Sequence, residues 1–184
     1  MRVIAGTARS LKLKTPAGLD TRPTNDRIKE TLFNMLQTDI PGCIFVDLFA
    51  GGGAIGIEAL SRGARHAYFV ENGKQAGECL KDNLKHTKME AQATIIKQDV
   101  LYCLSMIQEK EVDIIFMDPP YRKGYEKAVM EKLKDASYVT PDTILIAEAP
   151  LDADFSFGEV LGFEIYKEKK YKTNQHIFLR RKGI

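Results

Sequence analysis

Asp118, Pro119, Pro120 and Tyr121 stand in a row that suits the binding of an amino group. Pro119 keeps Asp118 out of the α region, so the carboxylate is presented from extended backbone. Neither proline has an N–H, which leaves a turn rich in acceptors and almost without donors. Oxygens fixed in this way hold an amine through its hydrogens. Tyr121 adds a flat ring on which a planar heterocycle can stack. A plain strand-ending turn with a core tyrosine would use the same residues, and the setting decides between the two. The preceding run, Val112-Asp113-Ile114-Ile115-Phe116-Met117, is β-branched and aromatic and predicts a buried strand.

A second group lies upstream. Ile44-Phe45-Val46-Asp47-Leu48-Phe49 predicts a strand, and Ala50-Gly51-Gly52-Gly53-Ala54-Ile55-Gly56 follows it into a helix. Gly51, Gly53 and Gly56 satisfy G-x-G-x-x-G, the spacing that brings backbone close to a ligand at a helix N-terminus. Glu71 follows Gly51 by twenty residues, at the end of the next strand, where a carboxylate can accept both hydroxyls of a ribose. Asp47 sits inside the first strand, close to the glycines. A carboxylate there is poorly placed for pyrophosphate and suits a ligand carrying ammonium and sulfonium charge. Asp99, beyond the third strand, either accepts from an adenine amino group or caps a helix. Phe49, Asn72 and Val100 flank these carboxylates and are assigned to the same cofactor site, together with Thr24 from the N-terminal part.

The elements that must position these residues alternate. Strands are predicted at 44–49, 67–71, 93–97, 112–117 and 143–148, separated by helices at 54–62, 74–84, 100–108 and 125–135. Phe163–Tyr166 and Gln175–Leu179 close the sheet as an antiparallel pair. This pattern predicts an α/β, doubly wound, mostly parallel Rossmann-like sheet with its last strand antiparallel. Strands one and four are neighbours at its switch point, so the Gly51 loop and Asp118 face each other across one crevice. Ahead of this, Met1–Ile4 and Leu11–Lys14 predict a small β appendage. A helix capped by Thr24 or Asn25 runs from there to about Gln37, with Ile28, Leu32, Met35 and Leu36 inward. Residues 1–40 form the appendage and residues 41–184 the main domain. Residues 152–159 predict a loop.

A chain of 184 residues, 44% hydrophobic and 28% charged, is ordinary for one soluble domain. No apolar run approaches the roughly 20 residues needed to span a bilayer, and no secretory leader is evident. Cys43, Cys79 and Cys103 lack metal or disulfide spacing and predict reduced core thiols in a cytoplasmic protein. His66, His86 and His176 do not form a metal site. The net charge is only +2, but both ends are basic and the middle is acidic. That distribution fits either a polyanionic partner or a solvated surface.

The chain resembles class I S-adenosylmethionine-dependent methyltransferases and, more narrowly, the RsmD family, which methylates N2 of a guanine in bacterial 16S rRNA. The resemblance rests on Arg2-Val3-Ile4-Ala5-Gly6, Arg22-Pro23-Thr24-Asn25-Asp26-Arg27, Glu30-Thr31-Leu32-Phe33-Asn34, the Asp47–Gly56 segment and Asp118–Tyr121. It implies S-adenosylmethionine as methyl donor, S-adenosylhomocysteine as product and no metal. It implies 16S rRNA as partner, in the 30S subunit or an assembly intermediate, and a monomeric enzyme. Asp118 and the Pro119 carbonyl would accept from the guanine amine, and Tyr121 would stack on the base. Arg2, Arg9, Lys12, Arg22, Arg27, Arg122 and Lys123 would face RNA. Gly73 departs from the acidic or polar residue expected after the ribose-binding Glu71. Three other readings stay open: an amino-group methylase of DNA adenine or a protein amide, an NAD-dependent oxidoreductase, and a non-catalytic RNA-binding assembly factor.

Overall fold

The computed structural model describes residues 1–16 and 26–183. Seven strands, β1 (Ile44–Asp47), β2 (His66–Val70), β3 (Ala93–Ile96), β4 (Ile114–Met117), β5 (Ile144–Pro150), β6 (Phe163–Lys170) and β7 (Asn174–Arg181), make one sheet. The helices are α1 (Asp26–Met35), α2 (Ala54–Ser61), α3 (Lys74–Thr87), α4 (Val100–Cys103), α5 (Tyr125–Leu133) and α6 (Phe157–Val160). The sheet order is β3-β2-β1-β4-β5-β7-β6. All pairs from β3 to β5 are parallel, and β7 runs antiparallel to both β5 and β6. The chain therefore reverses its winding between β1 and β4, as the alternation predicts.

Strand period two divides the core. Phe45, Phe116, Ile146 and Phe178 face one layer, with Leu32 and Phe33 of α1, Leu60 of α2 and Leu80 of α3. Val46, Ile115, Leu145 and Leu179 face the other, with Cys103 of α4 and Val129, Met130 and Leu133 of α5. The three cysteines are buried and free. Burial pushes the Cys43 and Cys103 thiols up to about 12, which makes them inert.

Several boundaries differ from the sequence reading. The N-terminal segment is a hairpin with one antiparallel bridge, Arg2 to Lys12, flanked by Val3 N–H to Leu11 O and Leu13 N–H to Met1 O, both 2.9 Å. The expected helix at 100–108 ends after one turn and continues as a 3₁₀ turn, Leu104–Met106. Its carbonyls are claimed by side chains: Ser105 Oγ donates to Tyr102 O and the Tyr138 hydroxyl to Leu104 O, each at 2.8 Å. The expected loop at 152–159 contains α6. Asp154 turns the chain by accepting from Ser156 N at 2.8 Å, and Phe155 is buried beside Phe157. Thr24 and Asn25, the expected caps of α1, lie outside the described residues.

On α1 and just beyond it, Leu32 and Leu36 are buried as expected, but Ile28 and Met35 are only half-buried. Phe33 and Lys29 take their place, and Lys29 is fully buried. Its ammonium reaches Glu58 of α2 at 3.2 Å and donates to the Arg2 carbonyl at 2.6 Å. Glu58 also accepts from Ile4 N, Ala5 N and Arg62 Nε. One buried carboxylate thus ties the hairpin, α1 and α2 together. Gly6 packs so tightly against α2 that a Cβ there would sit 1.7 Å from Ser61 O.

Candidate active site

The carboxyl ends of β1, β2, β4 and β5 each present an acidic side chain at one rim of the sheet. Asp47 is the last residue of β1 and is buried. Its Oδ2 accepts from Gly56 N of α2 at 3.2 Å, and burial raises its carboxyl to about 7. Asp118 follows β4 directly. Burial, with the nearby charges of Glu148 and Asp47, raises its carboxyl well above the usual range. Alternation places Asp47, Asp118 and Glu148 on the face of Phe45, Phe116 and Ile146.

The glycine loop is shaped by backbone demands. Gly51 and Gly53 have φ of 53° and 82°, in the left-handed region. A Cβ on Gly53 would meet Leu80 Cδ1 at 2.3 Å, whereas nothing stands within 4 Å of one on Gly51, which borders open space. Glu71 Oε2 accepts from Gly51 N at 2.9 Å and Oε1 from Gly73 N at 2.6 Å. Gly73 thus acts as a donor to the ribose-binding candidate, and a Cβ there would lie 2.9 Å from Glu71 Oε1. Asn83 of α3 clasps the loop from behind. Its Nδ2 donates to Gly52 O at 2.8 Å and to Lys14 O at 3.0 Å, which fixes the end of the hairpin beside the glycines.

The remaining candidates fall in two groups. Phe49 packs edge-on against Tyr125, ring centroids 5.5 Å apart. Asn72 is exposed after β2, and Val100 is buried at the start of α4. Asp99 caps that helix, its Oδ1 accepting from Leu101 N at 2.9 Å, so the capping alternative is realised by one of its oxygens. Pro119 is buried, Pro120 is exposed and Tyr121 is 45% exposed at the mouth of the rim. Arg122 and Lys123 are exposed just beyond, with Arg122 at φ 62° and 3.9 Å from Asp152. Arg2, Arg9 and Lys12 are exposed on the hairpin, and Arg27 is exposed on α1. Arg2 pairs with Asp26 at 3.1 Å. Thr24 and Arg22 lie outside the described residues.

Sequence reasoning missed the polar network behind Asp118. Glu148 Oε2 lies 3.0 Å from His176 Nε2, and Oε1 accepts from Asn174 Nδ2 at 2.6 Å. His176 Nδ1 meets the Tyr171 hydroxyl at 3.1 Å. His176, read as a strand residue without a Glu partner, is in fact paired with one. The available signal was Glu148 itself, a carboxylate closing a predicted strand as Glu71 does.

This donor set fits a cationic nucleoside and not a pyrophosphate. Amides that would cradle phosphate, Gly51 N and Gly56 N, already serve Glu71 and Asp47. Asp47, Glu71 and Asp99 remain as acceptors for amino and hydroxyl groups. Sheet order, glycine loop and acidic rim define a class I methyltransferase fold. A solved Escherichia coli structure, yhhF, a methyltransferase by provisional assignment, superposes with a TM-score of 0.83 at 30% identity, covering 100% of this chain and 99% of that one. Residues 1–180 match the family model described as Conserved hypothetical protein 95, and the chain belongs to that family, the RsmD family. Ribosomal RNA small subunit methyltransferase D of Haemophilus influenzae is 36% identical, over 92% of this chain and 88% of its own. The Escherichia coli K12 protein of that name is 33% identical, over 83% and 76%.

Proposed function

We propose that this protein transfers a methyl group from S-adenosylmethionine to the exocyclic N2 amine of a guanine in 16S rRNA. The observation that carries the reading is Asp118, a half-buried carboxylate in a donor-poor proline turn, opposite a glycine loop whose own carboxylates suit a cationic nucleoside. The names of the relatives support the RNA class.

Asp47, Glu71 and Asp99 would hold the cofactor, with Phe49, Gly51, Gly53, Asn72 and Val100 around it and Thr24 from the N-terminal segment. When bound, S-adenosylmethionine supplies an electrophilic methyl on a sulfonium sulfur. The guanine amine is a poor nucleophile because its lone pair is delocalised into the ring. Asp118 and the Pro119 carbonyl accept its two N–H bonds, which draws the nitrogen toward tetrahedral geometry and stabilises the positive charge that grows there. Asp118 then takes up the proton that the methylated nitrogen loses. Tyr121 stacks on the base once it leaves its RNA context.

Arg2, Arg9, Lys12, Arg22, Arg27, Arg122 and Lys123 supply phosphate contacts, within the 30S subunit or an assembly intermediate, for a monomeric cytoplasmic enzyme. Asp118→Ala tests the reading: turnover is lost while S-adenosylmethionine affinity stays within about twofold. Equal loss of cofactor binding would show that Asp118 serves the cofactor instead.

A further inference from the structure

Asn174 opens β7 and is 6% exposed, and its two side-chain polar atoms have different fates. Nδ2 donates to Glu148 Oε1 at 2.6 Å. Oδ1 is buried and meets no donor among the described residues. The amide cannot turn over to correct this, because Oδ1 would then face the carboxylate. Glu148 therefore dictates which way Asn174 points. It is itself braced from the other side by His176 Nε2 at 3.0 Å, and His176 in turn by the Tyr171 hydroxyl. Buried acceptors without donors are rare in folded proteins and need a reason. An acceptor held this firmly and left unpaired is placed to receive a donor that arrives with a ligand.

The register locates that ligand. Met117 pairs with Ala147 and Glu148 with His176, so Asp118 and Glu148 end up alongside each other on neighbouring strands. Asn174 pairs with Pro150, two residues nearer the rim. His176 packs edge-on against Phe116, ring centroids 6.1 Å apart, which puts this network on the same face as Asp118. β5 separates β4 from β7, so Asp118 and Asn174 lie two strand spacings, roughly 10 Å, apart on one face, with Glu148 between them near the rim.

We propose that Asn174 selects the base: its Oδ1 accepts the ring N1–H of guanine while Asp118 holds the adjacent amine. The inference rests on Asp118 being the amine-binding group. Guanine places an N1–H donor next to its exocyclic amine. Adenine and cytosine place a ring lone pair there. Against Asn174 Oδ1 those bases set acceptor against acceptor and leave two buried groups unpaired, which is a strong form of rejection. Asn174 would touch substrate. Glu148 and His176 are positioning residues that act through it.

The test uses small-subunit RNA carrying either guanine or 2-aminopurine at the one target position. 2-Aminopurine keeps the amine but has a lone pair on N1. The wild-type protein is expected to prefer guanine by about 100-fold in kcat/KM. Asn174→Ala should slow guanine methylation about 10- to 100-fold, change 2-aminopurine little and leave cofactor affinity intact, so the preference collapses. Since 2-aminopurine also lacks O6, the collapse in the variant isolates Asn174. Asn174→Ser, which can still donate to Glu148, is read in the same way if the alanine variant folds poorly. Equal rates on both bases in the wild type would overturn the proposal without any variant. An unchanged preference in the variants, with both rates lowered alike, would overturn it too and reduce Asn174 to a support for Glu148. A wild-type protein that methylates neither base defeats the amine-binding reading of Asp118 first, and this inference with it.

Discussion

Glu148 stands beside Asp118 at the carboxyl ends of paired strands, and its charge makes Asp118 harder to ionise. In the proposed role Asp118 accepts in its ionised form, so activity should rise with pH through its elevated pKa. Glu148→Gln removes one of the two charges that raise it. The acidic limb of the kcat profile is expected to move to lower pH, measured with saturating cofactor. A limb that stays in place would mean that Glu148 does not reach Asp118 electrostatically during turnover.

Asp47 gives the fold a pH dependence of definite sign. Its carboxyl is raised to about 7 in the folded protein, so the folded state keeps a proton that the unfolded chain loses near pH 4. The stability linked to this proton is fully present below pH 4 and is lost as pH rises through about 7, on the order of 4 kcal/mol in all. Asp118 acts in the same direction. Asp47→Asn should flatten the decline of Tm between pH 4 and 8 in the ligand-free protein. A cationic ligand favours ionised Asp47, so S-adenosylmethionine should bind more tightly as pH rises across the same range. Titration calorimetry at several pH values checks this, and Asp47→Asn should weaken the trend.

Gly56 has no room for a side chain. A Cβ would lie 2.3 Å from Cε1 of the fully buried Phe69 ring. Gly56→Ala is expected to cost about 1–3 kcal/mol by overpacking, seen as a lower urea midpoint. It also displaces the amide that holds Asp47, so cofactor affinity should fall with it.

Lys29 is expected to be the residue whose loss most loosens the N-terminal hairpin. Its ammonium is sealed between Glu58 and the Arg2 carbonyl. Lys29→Ala should cost about 3 kcal/mol, because Glu58 stays buried with one cation fewer. Amide hydrogen exchange at Ile4 and Ala5, which donate to Glu58, should speed up more than exchange in β1.

Local patterns carried the sheet and the elements around the candidate site. The run 112–117, the glycine loop, Glu71 and Asp118 are each read from a few consecutive residues, and the structure brings their strands to one rim. Pairings across long sequence gaps were not legible. Glu148 meets His176 and Asn174 only through the antiparallel register of β5 and β7. The burial of Lys29 has no local signal, since nothing near it in the chain announces Glu58. Asp99 could be read two ways from sequence, and its hydrogen bond to Leu101 shows why: one oxygen caps the helix and the other is left over.

The most direct measurement is identification of the methylated product. The protein would be incubated with radiolabelled S-adenosylmethionine and 30S particles from cells lacking the enzyme, beside naked 16S rRNA, DNA and total protein. The labelled nucleoside would then be identified by mass spectrometry. N2-methylguanosine in 16S rRNA, absent with Asp118→Ala, is the expected result. Label in DNA or protein, or on another position of the base, would contradict the account.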